Sequence, residues 1–199
     1  MDVFAKDTTI SYSTHVQSYG WLDSVTTGVS GTTGESKRME AIKISVDSDI
    51  SGNIEYLSHV QSYGWESTWK SNNIISGTTG ESKRLEAIKI RFTGELANVY
   101  DVYYRVHCQS YGWLGWAKNG ETAGTVGMSK RLEAIEIKVV PKNTGEATGN
   151  SYKSGGDTFF YQSYVQSIGW QDSVGENEIS GLTGQSKRIE AIKMRIINF

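Results

Sequence analysis

The chain has 199 residues, 37% hydrophobic and 21% charged, with a formal net charge of −2 and 22 glycines against one proline. That near-neutral balance gives no basic footprint for nucleic acid and little attraction to anionic membranes, and no apolar run has the length of a transmembrane segment. Cys108 is the only cysteine, so no intrachain disulfide staples the fold.

Residues 1–9 lack the apolar core of a secretory signal, and a first strand is expected near residues 8–12. The phrase His-Val-Gln-Ser-Tyr-Gly-Trp then ends at Trp21, and the glycine-rich stretch 31–34 reads as a tight loop. A second phrase, Ser-Lys-Arg-x-Glu-Ala-Ile, follows with Arg38 and Glu40. After a turn over 47–53 the pattern returns with Trp65, the loop 77–80, Arg84 and Glu86. With a period of two, Tyr56, Ser58 and Val60 face one way and Leu57, His59 and Gln61 the other. In the later strand Arg84, Glu86, Ile88 and Ile90 share a face opposite Leu85, Ala87, Lys89 and Arg91. Apolar residues on both sides at its start predict a strand covered on both faces that opens to solvent at Lys89.

The third copy carries Trp113, Arg131 and Glu133. The strand 84–92 is expected to pair with 102–109 as a long antiparallel hairpin, with counterparts in the other links. Cys108 occupies the place of Val16, Val60 and Val165, which suits a small buried apolar side chain. Residues 141–157 hold the only proline amid Gly, Asn, Ser and Thr and read as a surface loop. The last copy reads Gln-Ser-Ile-Gly-Trp, ending at Trp170, and continues to Arg188 and Glu190.

The repeats thus run over 12–46, 56–92, 104–140 and 161–197. A unit of about 40 residues cannot bury its own apolar face, so residues 1–199 are expected to form one β-repeat domain. No segment keeps a helical period, and the predicted class is all-β: four tandem antiparallel repeats of three or four strands. The expected closure is a pseudo-fourfold propeller-like or barrel ring, with the strand near 8–12 pairing 189–197 to hide both edges. The alternative is a β-trefoil-like arrangement with an extra or swapped repeat.

The two phrases, in order and at similar spacing in all four copies, closely resemble the clostridial hydrophobic repeat with a characteristic tryptophan, the ChW repeat. The resemblance covers most of the chain. It implies a secreted or cell-surface protein of a Gram-positive bacterium with a binding role toward polysaccharide or a surface partner. It brings no defined catalytic residues.

Trp21, Trp65, Trp113 and Trp170 can serve as platforms for the apolar face of a pyranose or as wedges between repeats. His15, His59 and His107 share one position that Tyr164 fills in the fourth repeat. A metal site does not exchange His for Tyr unchanged, so no metal or other cofactor is expected. These rings, with Gln17, Gln61, Gln109 and Gln166 on the same strand face, form polar pairs suited to a sugar hydroxyl or to an internal strut. Arg38, Arg84, Arg131 and Arg188 with Glu40, Glu86, Glu133 and Glu190 are ion pairs clamping the glycine-rich loop, or a grip on adjacent hydroxyls.

A glycosidase needs a second carboxylate, but the residues at 35 and 81 are Glu while 128 and 185 are Met and Gln. The expectation is therefore a non-catalytic, multivalent carbohydrate-binding protein for surface or polysaccharide glycans, with a homo-oligomer left open. The alternative is a protein–protein adhesion or structural module, favoured if the repeated His, Gln, Arg and Glu are buried and mutually satisfied.

Overall fold

A computed structural model describes residues 8–145, 148–154, 158–171 and 180–197. The protein is all-β, and the single helix among the described residues is Leu96–Val99. No helix among these residues is long and apolar enough to cross a membrane. The stretch 141–157 lies only partly within the described residues.

Each repeat is built on one long antiparallel pair, a lead strand before the Gly-Trp phrase and a closing strand after the Arg. Thr9–Val16 pairs with Met39–Asp47, Ile54–Val60 with Leu85–Phe92, Tyr100–Cys108 with Leu132–Pro141, and Thr158–Val165 with Ile189–Ile197. The expected hairpin between 84–92 and 102–109 is therefore not formed, and neither is the expected pairing of 8–12 with 189–197. The lead strand has both edges occupied inside its own repeat. On one side lies the closing strand, and on the other the chain folds back as the two-residue Gly-Trp strand. No edge is left for the closing strand of the preceding repeat.

Every long pair carries a β-bulge at the same place. His15 opposes Ala41 while Val16 opposes Met39, which leaves Glu40 as the extra residue, and the register shifts likewise in the other three repeats. The extra residues are thus Glu86, Glu133 and Glu190. A bulge breaks strict alternation. It brings Leu85 into the same apolar core as Ile88 and Ile90, rather than onto the opposite face that a simple period of two gives. Beyond the bulge, buried residues alternate with half-buried ones from Lys89 onward, as its sequence predicts.

The first three repeats exchange short strands in a cycle. Val29–Gly31 of repeat one pairs with Leu132–Pro141 of repeat three. Ser76–Gly77 of repeat two pairs with Met39–Asp47 of repeat one, and Ala123–Val126 of repeat three with Leu85–Phe92 of repeat two. Tyrosines follow the same cycle. Tyr12 donates its hydroxyl to the Gly28 carbonyl and accepts from the Ile137 N–H at 3.2 Å. Tyr56 and Tyr104 donate to the carbonyls of Ile74 and Glu121 and bond the backbone of Ile44 and Ile90. Burial pushes the Tyr56 hydroxyl up to about 12, with the Ile44 bond opposing it.

One apolar core draws on all three of these repeats, including Tyr12, Met39, Ile42, Tyr56, Leu85, Ile88, Tyr104 and Leu132. Cys108 is buried in this core together with Val16 and Val60, and burial pushes its thiol up to about 12. Among the described residues each sheet is open, and none closes on itself as a barrel. The contacts divide the chain into two compact units, Met1–Lys153 and Ser154–Phe199. Within the second, the described strands form a single sheet ordered Gly169–Trp170, Thr158–Val165, Ile189–Ile197.

Candidate functional site

The bulge decides where the repeated glutamate points. Glu86 receives Arg84 Nε at 2.9 Å and Nη2 at 2.7 Å on one carboxylate oxygen, and its other oxygen lies 3.1 Å from His59 Nδ1. Glu40 is held in the same way by Arg38 and His15, and Glu133 by Arg131 and His107. The His107 contact, at 2.9 Å, is an aligned hydrogen bond. The Nδ1 atoms of His15 and His59 lie 3.0 and 3.1 Å from Glu40 and Glu86 but off the hydrogen-bond direction, and these two buried atoms have no other hydrogen-bond partner. All three glutamate side chains are 7% exposed, each with one oxygen held by its arginine and the other 2.9–3.1 Å from its histidine.

Behind each histidine stands the tryptophan. His15 meets Trp21 edge to face at 5.5 Å, His59 meets Trp65 at 5.4 Å, and His107 meets Trp113 at 5.6 Å; Tyr164 meets Trp170 in the same way at 5.4 Å. A cation covers each indole. Lys43 lies 4.8 Å over Trp21, Lys89 4.8 Å over Trp65, and Lys193 5.2 Å over Trp170. Repeat three has Glu136 where the others have lysine, and there Arg105 on the paired lead strand covers Trp113 at 4.9 Å while bonding Glu136. The cation on the indole is thus kept by a switch across the strand pair. Sequence reading missed these cations, although Arg105 opposite Glu136, in line with Ser13 opposite Lys43, is a visible signal. Trp69 and Trp116 are covered similarly, by Arg91 at 4.0 Å and by Lys138 at 4.2 Å.

The glutamines do not join this stack. The backbone N–H of Gln17 donates to the Arg38 carbonyl at 3.0 Å, with the same bond from Gln61 to Arg84 and from Gln109 to Arg131. Each glutamine is thereby fixed beside its arginine. The three pairs converge on one cavity of about 320 Å³ lined by Gln17, Gln61, Gln109, Arg38, Arg84, Arg131, Ser36 and Ser82. None of the tryptophans, histidines or glutamates lines it. The sequence-level set therefore separates into two groups. Gln and Arg of repeats one to three share a polar cavity, while His, Glu and Trp stack within each of these three repeats. Ser36 and Ser82 are additions that sequence reading did not single out. They precede each Lys-Arg by one residue and have positive φ angles of 56° and 55°.

The fourth repeat keeps the same residues in a looser setting. Arg188 still bonds Glu190, at 3.0 Å, but its side chain is 71% exposed against 20–22% for its three counterparts. Gln166 donates to the Arg188 carbonyl at 3.0 Å as its counterparts do. Among the described residues, no group of three or more His, Cys, Asp or Glu side chains is arranged to hold a metal ion.

The sequence profile described as Clostridial hydrophobic W matches residues 15–47, 59–94, 107–141 and 164–198, each match spanning one repeat. No curated protein and no solved structure matches the chain.

Proposed function

We propose that this chain, which belongs to the Clostridial hydrophobic W family, is a non-catalytic glycan-binding protein whose binding position is the cavity shared by repeats one to three. The observation that carries this reading is the convergence of three equivalent Gln–Arg pairs on one cavity lined by polar side chains alone. Amide and guanidinium donors are the groups that orient a hydroxyl-rich or carboxylate-bearing sugar. Chemistry on the glycan is not part of the reading. Glu40, Glu86 and Glu133 are 7% exposed, paired with arginine and outside the cavity lining, which leaves them poorly placed to act as base or nucleophile there. Valency follows the three-repeat body, in a β-trefoil-like manner, rather than each tryptophan. A surface or secreted setting in a Gram-positive bacterium suits such a module.

The test is a glycan array with the full chain, followed by titration calorimetry on any hit with Gln17→Ala/Gln61→Ala/Gln109→Ala. Loss of binding by the folded triple variant, with Trp170→Ala binding as the parent does, supports the cavity. Retained binding in the triple variant overturns it.

A second reading has its own support. The Glu–Arg ion pairs of repeats one to three are largely buried with a histidine against each, and their indoles are covered by cations, which is the pattern of an adhesion or structural scaffold that binds through its variable loops. An array with no hit, beside capture of a defined surface protein, favours it.

A further inference from the structure

The fourth repeat carries both halves of the exchange that joins the first three, and among the described residues neither half is used. In repeats one to three the exchanging glycine sits opposite the alanine of an acceptor closing strand: Gly31 opposite Ala134, Gly77 opposite Ala41, Gly124 opposite Ala87. These glycines have φ of +119°, +100° and +122°, and a Cβ on any of them would lie 2.4–2.5 Å from an acceptor carbonyl oxygen. Gly181 holds the same backbone conformation, φ +128°, yet its nearest neighbours are the Ile189 and Ser163 side chains of its own repeat. Ser180 beside it already bonds Ser163 at 3.0 Å, as Ser76 bonds Ser58 and Ser30 bonds Thr14. Gly181 is therefore shaped for exchange, and among the described residues the atoms nearest it belong to no acceptor backbone.

The acceptor half is equally bare. Ala41, Ala87 and Ala134 are fully buried beneath the exchanged strand, as are Ile42, Ile88 and Ile135. Their counterparts Ala191 and Ile192 are exposed, Ile192 at 61%, and the neighbouring core positions Ile189 and Met194 are 49% and 71% exposed. Within this chain, the exchange strands of repeats one to three are all taken by one another.

We propose that this face is an interface for further copies of the same chain, and that three fourth repeats assemble by the cyclic exchange seen among repeats one to three. Ser180 and Gly181 of each copy dock on Ala191 and Ile192 of the next. A head-to-tail contact of this kind generates either a ring or a filament, depending on its rotation. The first three repeats supply that rotation: the same contact closes after three steps. The occupant is a copy of this repeat because only a Ser-Gly segment with a left-handed glycine fits so close to the acceptor backbone. Closing the ring buries Ile189, Ile192 and Met194 and removes the open edge of Ile189–Ile197.

Sedimentation velocity of the full chain over a wide concentration range tests this. The expected result is mass action between a 22.0 kDa monomer and a species of three times that mass. Ile192→Lys changes an exposed side chain outside the Met1–Lys153 unit, so it leaves the core of repeats one to three intact and abolishes the larger species. Gly181→Val, read in parallel, has the same effect from the donor side. A monomer at every concentration, a dimer, or a threefold species that survives both substitutions overturns the proposal. Glycan binding at the cavity of repeats one to three is independent of these outcomes, because none of its lining residues is altered.

Discussion

Asp101 shows what a single buried charge requires in this protein. Its carboxylate is fully buried and receives Asn119 Nδ2 at 2.7 Å, Lys142 Nζ at 2.9 Å, the Asn143 N–H at 3.0 Å and Lys118 Nζ at 3.3 Å. Burial alone raises its pKa, but the hydrogen bonds from the two lysines and the two asparagines outweigh it and hold the group below the usual carboxylate range. A folded-state pKa below the unfolded one adds stability at pH above the unfolded value, about 3.9, and that stability is lost as the pH falls below it. Asp101→Asn leaves Lys118 and Lys142 unmatched, and we expect it to cost about 2–4 kcal/mol at pH 7. The parent should lose that advantage progressively as the pH falls below about 4, so the two proteins converge in acid. Urea unfolding of both across this range checks the sign. A gap that widens in acid contradicts the assignment.

At the scale of strands, the glycine of the exchange segment is constrained twice. Gly77 has φ +100°, and any Cβ on it would lie 2.4 Å from the Glu40 carbonyl oxygen. Gly80 has a similar φ of +79° with nothing within 4 Å of a Cβ. An alanine at Gly80 therefore costs only the left-handed backbone, about 1–2 kcal/mol. We expect Gly77→Ala to cost clearly more, because the strand must also leave its acceptor. Chemical denaturation of the two variants side by side measures the difference, and equal costs would remove the close approach from the account. This near-identity of neighbours also explains what was readable in the sequence. The closing strands were legible from their alternation, and the positions of Arg, Glu, Gln and Trp from their repetition. The partner of each closing strand was not, because 54–60 and 102–109 flank 84–92 and are equally β-prone. The bulge was invisible too, since an unpaired residue leaves no mark in composition. The candidate site divided for the same reason: period two put His and Gln on one strand face, but the turn after His redirects Gln into the cavity while the bulge brings Glu beneath His.

The whole molecule follows a rule of three, although its sequence repeats four times. A cycle of exchange satisfies every donor and acceptor among repeats one to three, so the Met1–Lys153 unit contains its own core and its own closed set of exchanges. The Ser154–Phe199 unit has one three-stranded sheet with Ile189, Ile192 and Met194 exposed among its described residues. A chain that short, with no cysteine to form a disulfide, buries too little apolar surface to stand alone. Residues 1–153 expressed by themselves should therefore fold and unfold cooperatively, with a β-type circular dichroism spectrum and a melting temperature near that of the main transition of the full chain. Residues 154–199 by themselves should be unfolded when dilute and gain β structure only as they associate, so that their folding, unlike that of 1–153, depends on concentration. Circular dichroism of both fragments over a dilution series separates the cases. A fragment 154–199 that is folded and monomeric when dilute would show that the fourth repeat needs no partner, and a fragment 1–153 that fails to fold would show that the three-repeat cycle does not suffice.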